Sequence, residues 1–438
     1  MNMGRRWRYS RPMAATRIAF EDGMARLGPL TDLRTCCEIR IGARLSHERL
    51  GAEALVVSAA VAEAVAARNT CPVNVLPKGE RFLFLNSRLL DEPAGLKKLG
   101  EGEAIEDSTD GSIIAACLSA QSAGEVIHGH WPSTLRRAPY ADARMMRRPW
   151  DILANEALEQ RLQSDADFLA RRWKKKGELA KPSQIAAWRN ERGKSWARKW
   201  TGWRTKPIAL EGDSIMVHAS ARVGAFAVLD SRLGPVVIDR DAQIGEHAVL
   251  QGPVYVGAGS IVAPHALLKP RTVIGPRCRV AGEVGSTIFH GDSNKAHDGH
   301  LGDALVGRWV NLGAGTVNSN LLNTYGEVLM RVEVDGSVER TGRQFMGCLI
   351  GDHVKTAIGT RIMTGTTLGT ASMIACSVPP PTCTSRFAWI TDAGQKVHRL
   401  DRFLETAQIV MKRRGETLHP AERGALMALH ARSVGSGS

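Results

Sequence analysis

Between Ser293 and Asn320 the chain packs two histidines, one lysine, four asparagines and two aspartates into 28 positions. They run Ser293-Asn294-Lys295-Ala296-His297-Asp298-Gly299-His300, then Gly302-Asp303-Ala304, then Asn311-Leu312-Gly313-Ala314-Gly315-Thr316 and Asn318-Ser319-Asn320. An imidazole titrates near neutrality, so His297 is suited to take the proton from an amine as it attacks an activated acyl carbon. An ammonium such as that of Lys295 meets a phosphate as a point charge. The amides of Asn311 and Asn320 suit the hydroxyls of a sugar, and the main-chain N–H groups of Gly313, Ala314 and Gly315 suit a developing oxyanion. The bland alternative for His297 is a structural ring held by Asp298 or a carbonyl.

Such a set needs a rigid support, and the flanking sequence supplies a repeat. An aliphatic residue recurs at Val223, Ile238, Ile244, Leu250, Val256, Val262, Leu268, Ile274 and Val280, and from Ile238 to Val280 every step is six residues. A half-buried strand repeats every two residues and would not keep this phase. The spacing predicts short strands joined by corners, three to a turn of a triangular coil, with the aliphatic residue pointing inward and glycine or another small residue turning the corner. One turn cannot bury its own apolar stack, so several must pile up. The pattern breaks at residues 286–300 and 322–343, and both breaks read as loops thrown out of the coil. From Pro379 onward the pattern becomes helical, at residues 400–411 and 420–432, in a tail expected to leave the coil and brace it.

The N-terminal half alternates strand-like runs (residues 18–20 and 81–85) with helical ones, which suggests an α/β domain with a mainly parallel sheet. A helical stretch at 150–168 leads into a segment with Trp173, Trp188, Trp196, Trp200 and Trp203, where Trp196 and Trp200 share one helix face. The formal charge of +14 is spread over separate clusters, and no basic stripe interleaves with stacking aromatics, which argues against nucleic acid. Eight cysteines stand without a C-x-x-C pair, so they read as reduced thiols of a cytoplasmic protein with no metal site among them. No run of 18 apolar residues is present, so no membrane span is expected. The basic first residues lack a following apolar segment, and Met13 is an alternative start.

The 293–320 segment resembles the acetyltransferase half of the bifunctional glucosamine-1-phosphate acetyltransferase / N-acetylglucosamine-1-phosphate uridyltransferase family. Anchored on Gly302-Asp303-Ala304, the resemblance implies His297 as catalytic base, Asn311 and Asn320 on the acceptor, and Ala314 against the acyl donor. His300 stands where the family has a substrate tyrosine, Lys295 lies one residue closer to the Gly-Asp pair than the family's lysine, and the family's later phosphate-binding lysine falls near Gly347, with Arg343 or Lys355 as the candidate substitute. Over nearly the whole chain the sequence is similar to sugar nucleotidyltransferases that pair a degenerate transferase domain with a β-helix. The carrying residues are Pro29-Leu30-Thr31, Arg34, Arg40-Ile41-Gly42, Trp150-Asp151-Ile152, Asn318-Ser319-Asn320, Asn323-Thr324-Tyr325, Gln344-Phe345 and Gly351-Asp352-His353.

This implies a nucleotidyltransferase-like α/β domain over 13–205, a left-handed parallel β-helix of hexapeptide repeats over 206–378, and a helical tail over 379–438. The implied activity is acyl transfer from acetyl-CoA to an amino-sugar 1-phosphate by a homotrimer. The alternatives are sugar-1-phosphate nucleotidyl transfer, with Arg26, Arg34 and Arg40 on phosphates and Mg²⁺ as the metal, and a non-catalytic sugar-nucleotide-binding scaffold. Two features count against nucleotidyl transfer. The stretch from Asp22 to Pro29 is poor in glycine for a phosphate cradle, and Asn86 stands where a carboxylate would hold the cation.

Overall fold

In the computed structural model, which describes residues 15–181, 185 and 208–435, the six-residue phase becomes a stack of parallel strands. Three sheets form its faces. The first holds Arg222–Val223, Gln243–Ile244, Ile261–Val262, Arg279–Val280 and Asn294–Lys295. The second runs from Ile208–Glu211 to His300–Gly302, and the third from Ile215–Val217 through Leu305–Arg308 to Thr366–Leu368. Register is strict, with Ile244 opposite Val262 and Val262 opposite Val280 on the first face. The inward residues Ile244, Leu250, Val256, Val262, Leu268, Ile274 and Val280 are buried in one continuous core. Burial of that column is the main stabilising term, at about 2 kcal/mol per aliphatic side chain.

The two breaks in the repeat have different fates. Residues 286–300 do not leave the coil: Ile288–Gly291 and Asn294–Lys295 continue the third and first faces. The phase slips because corners shorten while the ladder persists. The inward position after Val280 falls on Val284, then on Phe289, then on Lys295. Residues 321–346 do leave. They are closed by a bridge between Leu321 and Phe345 and contain an antiparallel hairpin, Leu329–Arg331 against Val338–Arg340. The coil then continues past Pro379, since Ala388–Thr391 pairs in parallel with Met373–Ala375. Helices Leu400–Lys412 and Pro420–Gly435 pack Phe403, Leu404, Leu426 and Leu429 on Ala371 and Phe387 of the last turns.

The chain divides into two compact units, and the division does not follow the linear boundary at 205. Residues 24–46 and the described residues from 146 onward group with the coil. Within that unit Arg34 pairs with Asp352, and the Thr370 hydroxyl donates to the Pro29 carbonyl at 3.2 Å. The other unit, residues 15–23 and 47–145, is built on a six-stranded sheet. Its strands are β1 (Thr16–Phe20), β2 (Ala54–Val56), β3 (Arg81–Asn86), β4 (Glu103–Asp107), β5 (Ile113–Ser119) and β6 (Arg136–Tyr140), in the order β2-β1-β3-β5-β4-β6. The sheet is mixed: β5 runs antiparallel to both β3 and β4. Phe20, Phe84 and Trp131 lock its core by edge-on ring contacts of 5.1 and 5.9 Å to the indole. Trp188, Trp196, Trp200 and Trp203, the basic run at 5–8 and the start at Met13 lie outside the described residues.

Candidate functional site

On the second face of the coil a polar cluster grows around Gly302. A Cβ at this glycine would lie 2.7 Å from His300 Nε2 and 2.8 Å from Asn320 Nδ2, so imidazole and amide converge over a position that admits no side chain. Behind His300, Nδ1 is 3.3 Å from Glu283 Oε1, and Lys269 Nζ donates to the same oxygen at 3.1 Å. The Lys269 ammonium, and then His300, hold the Glu283 carboxyl below its ordinary value against the opposing effect of partial burial. Beside it the Asn320 amide donates to Asp303 Oδ2 at 2.7 Å, and Arg343 approaches Asp303 Oδ1 at 3.8 Å. Burial raises the Asp303 carboxyl and lowers the Arg343 guanidinium, the partner charges offsetting part of each shift. Arg343 also donates to Asn155 Oδ1 at 3.1 Å at the start of helix Asn155–Lys176. Three expected acceptor residues, His300, Asn320 and Arg343, therefore meet in one place.

His297 occupies the corner between the first and second faces. It is exposed, and no hydrogen bond fixes its ring among the described residues. Asn311 lies one turn on along the first face, where its Oδ1 accepts from Asn294 Nδ2 at 2.8 Å. Ala314 turns the next corner, its carbonyl accepting from the Gly359 N–H at 2.7 Å. His297, Asn311 and Ala314 thus flank one edge of the coil, while the cluster at Gly302 lies on the adjoining face.

Other expectations fail. Lys295 does not reach a phosphate. It takes an inward position opposite Val280, is buried, and donates to the carbonyls of Ala281 at 3.1 Å and His297 at 3.0 Å. Burial pulls its ammonium down to about 8. The N–H groups of Gly313 and Gly315 are not open for an oxyanion, since they donate to Thr356 Oγ1 at 3.0 Å and the Asp298 carbonyl at 3.2 Å. Arg34 is buried against Asp352, and Arg40 is buried and donates to the Ala43 carbonyl, so neither presents its guanidinium to a nucleotide. Arg26 is exposed and lines a cavity of about 290 Å³ together with Asp32, Glu333, Glu339 and Arg386.

Sequence reasoning assigned no role to Glu283, Asp303 or Asn318. Asn318 points into the coil and pairs twice with the Gly302 main chain, accepting its N–H and donating to its carbonyl at 2.8 Å each. A polar residue at an aliphatic phase of the repeat was the available signal for it.

The residues at the end of β3 do not fit a divalent cation. Asn86 Nδ2 donates to Asp22 Oδ2 at 2.8 Å. Arg88, fully buried, donates to the same oxygen at 2.6 Å through Nη2 and 3.0 Å through Nε, to Ser112 Oγ at 2.7 Å and to Asp110 Oδ2 at 3.3 Å. Both carboxylates already face a guanidinium, and an amide offers only a neutral oxygen to a hard ion. Among the described residues no group of three or more acidic, histidine or cysteine side chains is placed to hold a metal.

Residues 17–174 match the family described as sugar nucleotidyl transferase. The bifunctional sugar-1-phosphate nucleotidylyltransferase/acetyltransferase of Sulfurisphaera tokodaii is 34% identical over 143 residues, 32% of this chain and 35% of that protein. The bifunctional protein GlmU of Acidithiobacillus ferrooxidans is 31% identical over 183 residues, 41% of this chain and 35% of that protein. The matches thus span about a third of the length of these curated relatives. Among solved structures, a hexapeptide transferase family protein from Anaplasma phagocytophilum is similar at 14% identity, covering 53% of this chain and 99% of that one, with a TM-score of 0.24. No helix among the described residues is long and apolar enough to cross a membrane.

Proposed function

We propose that this protein is an acyl-CoA-dependent acyltransferase acting on a sugar phosphate, most simply the N-acetylation of an amino-sugar 1-phosphate, with its sites along the edges of a trimeric β-helix. The observation that carries this reading is the convergence of His300, Asn320 and Arg343 around Gly302, beside the corner that presents His297. In this reading His297 accepts the amine proton as nitrogen attacks the thioester carbonyl. The C–N bond forms, the C–S bond breaks, and the departing thiolate recovers a proton. Asn311, Asn320 and His300 position the sugar, Arg343 meets the phosphate, and Ala314 borders the acyl donor. The Sulfurisphaera tokodaii relative, whose name carries both a nucleotidylyltransferase and an acetyltransferase, supports the class of reaction.

The contact between Glu283 and His300 favours a second assignment of the base. A carboxylate on Nδ1 orients His300 and leaves Nε2 turned toward Asn320. Nucleotidyl transfer in the N-terminal unit is the weaker reading, because Arg88 stands against Asp22 where a cation would be needed.

The test is thiol release from acetyl-CoA with glucosamine 1-phosphate and related amino-sugar phosphates. Loss of kcat in His297→Ala with His300→Ala changing mainly KM supports the first assignment, and the reverse supports the second. Turnover that survives both substitutions, or is absent with every amino-sugar phosphate, sinks the acyl-transfer reading.

A further inference from the structure

The edge of the coil that carries His297 is decorated, lower down, by a ladder of rings. Phe226, His247 and His265 occupy the same corner position in three successive turns, each in the left-handed backbone region at φ 61°, 59° and 60°. Their rings stack 5.0 Å apart, at 15° and then 5° from parallel. That spacing is the rise of one turn of the coil, about 4.8 Å. All three rings are exposed. One face of His265 is covered by His247, and no further ring among the described residues lies on its other face.

The next turn explains why. The corner bearing His265 uses four residues, 263–266, between strands Ile261–Val262 and Leu267–Leu268. The corner above it has only Ala281 and Gly282, between Arg279–Val280 and Glu283–Gly285. The turn after that has four again, 296–299, and pushes His297 and Asp298 out to solvent. The corner is thus two residues short at a single level, with a bare ring below and His297 above, two turns or about 10 Å away.

The shortening is built into the interior. Lys295, in the inward column, ties the Ala281 carbonyl to the His297 carbonyl, bracing the short corner against the long one. Gly282 lies so close beneath this upper corner that a Cβ there would be 2.8 Å from the Gly299 carbonyl oxygen. A larger residue would have to displace main chain.

We propose that this notch is a stacking subsite for a planar heteroaromatic base, so that a nucleoside diphosphate moiety of the ligand lies on the open face of His265 with its remainder directed to His297. A flat ring at one further step of the ladder occupies the missing level, and base-on-aromatic stacking tolerates any base. The placement of the remainder rests on the acyl-transfer reading; the stacking itself does not. Two sources of the base fit the chemistry: a nucleotide-linked sugar as acceptor, or the adenosine end of the acyl donor.

The experiment is equilibrium binding to the full chain, by calorimetry, of UDP, UDP-N-acetylglucosamine, ADP, coenzyme A and glucosamine 1-phosphate. Binding needs no turnover, so failure of the acyl-transfer reading leaves this result interpretable. Base-bearing probes should weaken about tenfold in His265→Ala, hold in His265→Phe, and be lost when two residues (Ala-Ser) are inserted between Ala281 and Gly282 to restore the full corner. Should the insertion perturb folding, the substitution at the exposed His265 decides the question by itself. Preference for the uridine probes assigns the base to the acceptor, and preference for ADP and coenzyme A assigns it to the donor. The proposal is overturned if no base-bearing probe binds, if binding is indifferent to His265→Ala, or if glucosamine 1-phosphate alone shows the His265 dependence.

Discussion

The end of β3 and the Gly302 cluster each gather a basic side chain, carboxylates and an asparagine, yet they are built to opposite ends. Around Asp22 the groups close on one another: the buried guanidinium of Arg88 reaches two carboxylates and a hydroxyl, and Asn86 caps the same oxygen. Around Gly302 the polar groups are held from behind, with His300 on Glu283 and Asn320 on Asp303, while the imidazole lies over the glycine and stays partly exposed. A self-satisfied buried network contributes rigidity, whereas one oriented from behind and open in front is available to a ligand.

The sharpest way to break this comparison is through turnover. His297→Ala should lower kcat about 10²- to 10⁴-fold in the thiol-release assay while leaving the denaturation midpoint unchanged. A second break runs the other way. Arg88→Ala leaves carboxylates beside an empty basic site and should cost about 3 kcal/mol of stability in denaturant unfolding without altering acyl transfer. A loss under about 0.5 kcal/mol, the range of ordinary surface changes, would show that this cluster is not structural. Asn318→Ala removes both partners of the Gly302 main chain and should cost about 2 kcal/mol, with KM rising as His300 and Asn320 lose their registration.

A smaller effect concerns pH. Burial pulls Lys295 from an ordinary value of 10.5 to about 8. Between those values the folded chain binds fewer protons than the unfolded one, so this group's contribution to stability rises as pH goes from about 8 to about 10.5. Wild type should therefore gain stability relative to Lys295→Met across that window in denaturant midpoints, and a constant difference would contradict the burial of a charged ammonium. The smallest expected effect is none: Mg²⁺ should leave the melting temperature of the N-terminal unit unchanged, and a clear upward shift would mean that its carboxylates remain open to a cation.

Much of the coil was legible because an inward aliphatic residue every six positions has one simple explanation, and because Ile238 to Val280 keeps that phase without a slip. The tail helices were legible from their own periodicity. What misled was the assumption that a broken phase means a loop. Residues 286–300 stay in the ladder because a corner can lose residues while the strands it joins keep their hydrogen bonds. Counting residues along the chain therefore placed Lys295 outside, whereas counting turns places it opposite Val280 in the core. Glu283 and Asp303 were invisible for a related reason, since their partners His300 and Asn320 lie 17 residues on in each case, one turn of the coil away.

By itself the sequence determined the period, the inward column, the corners and the run of residues able to do chemistry, because each is a local property of side-chain polarity and backbone freedom. Tertiary structure alone decided which of those residues remain available. Arg34 is committed to Asp352, 318 positions away, and Asp22 to Arg88, while His300 keeps one nitrogen open. The reason is physical: whether a charge is neutralised or presented depends on what the fold brings within about 4 Å of it, and that distance is not written in the spacing of residues along the chain.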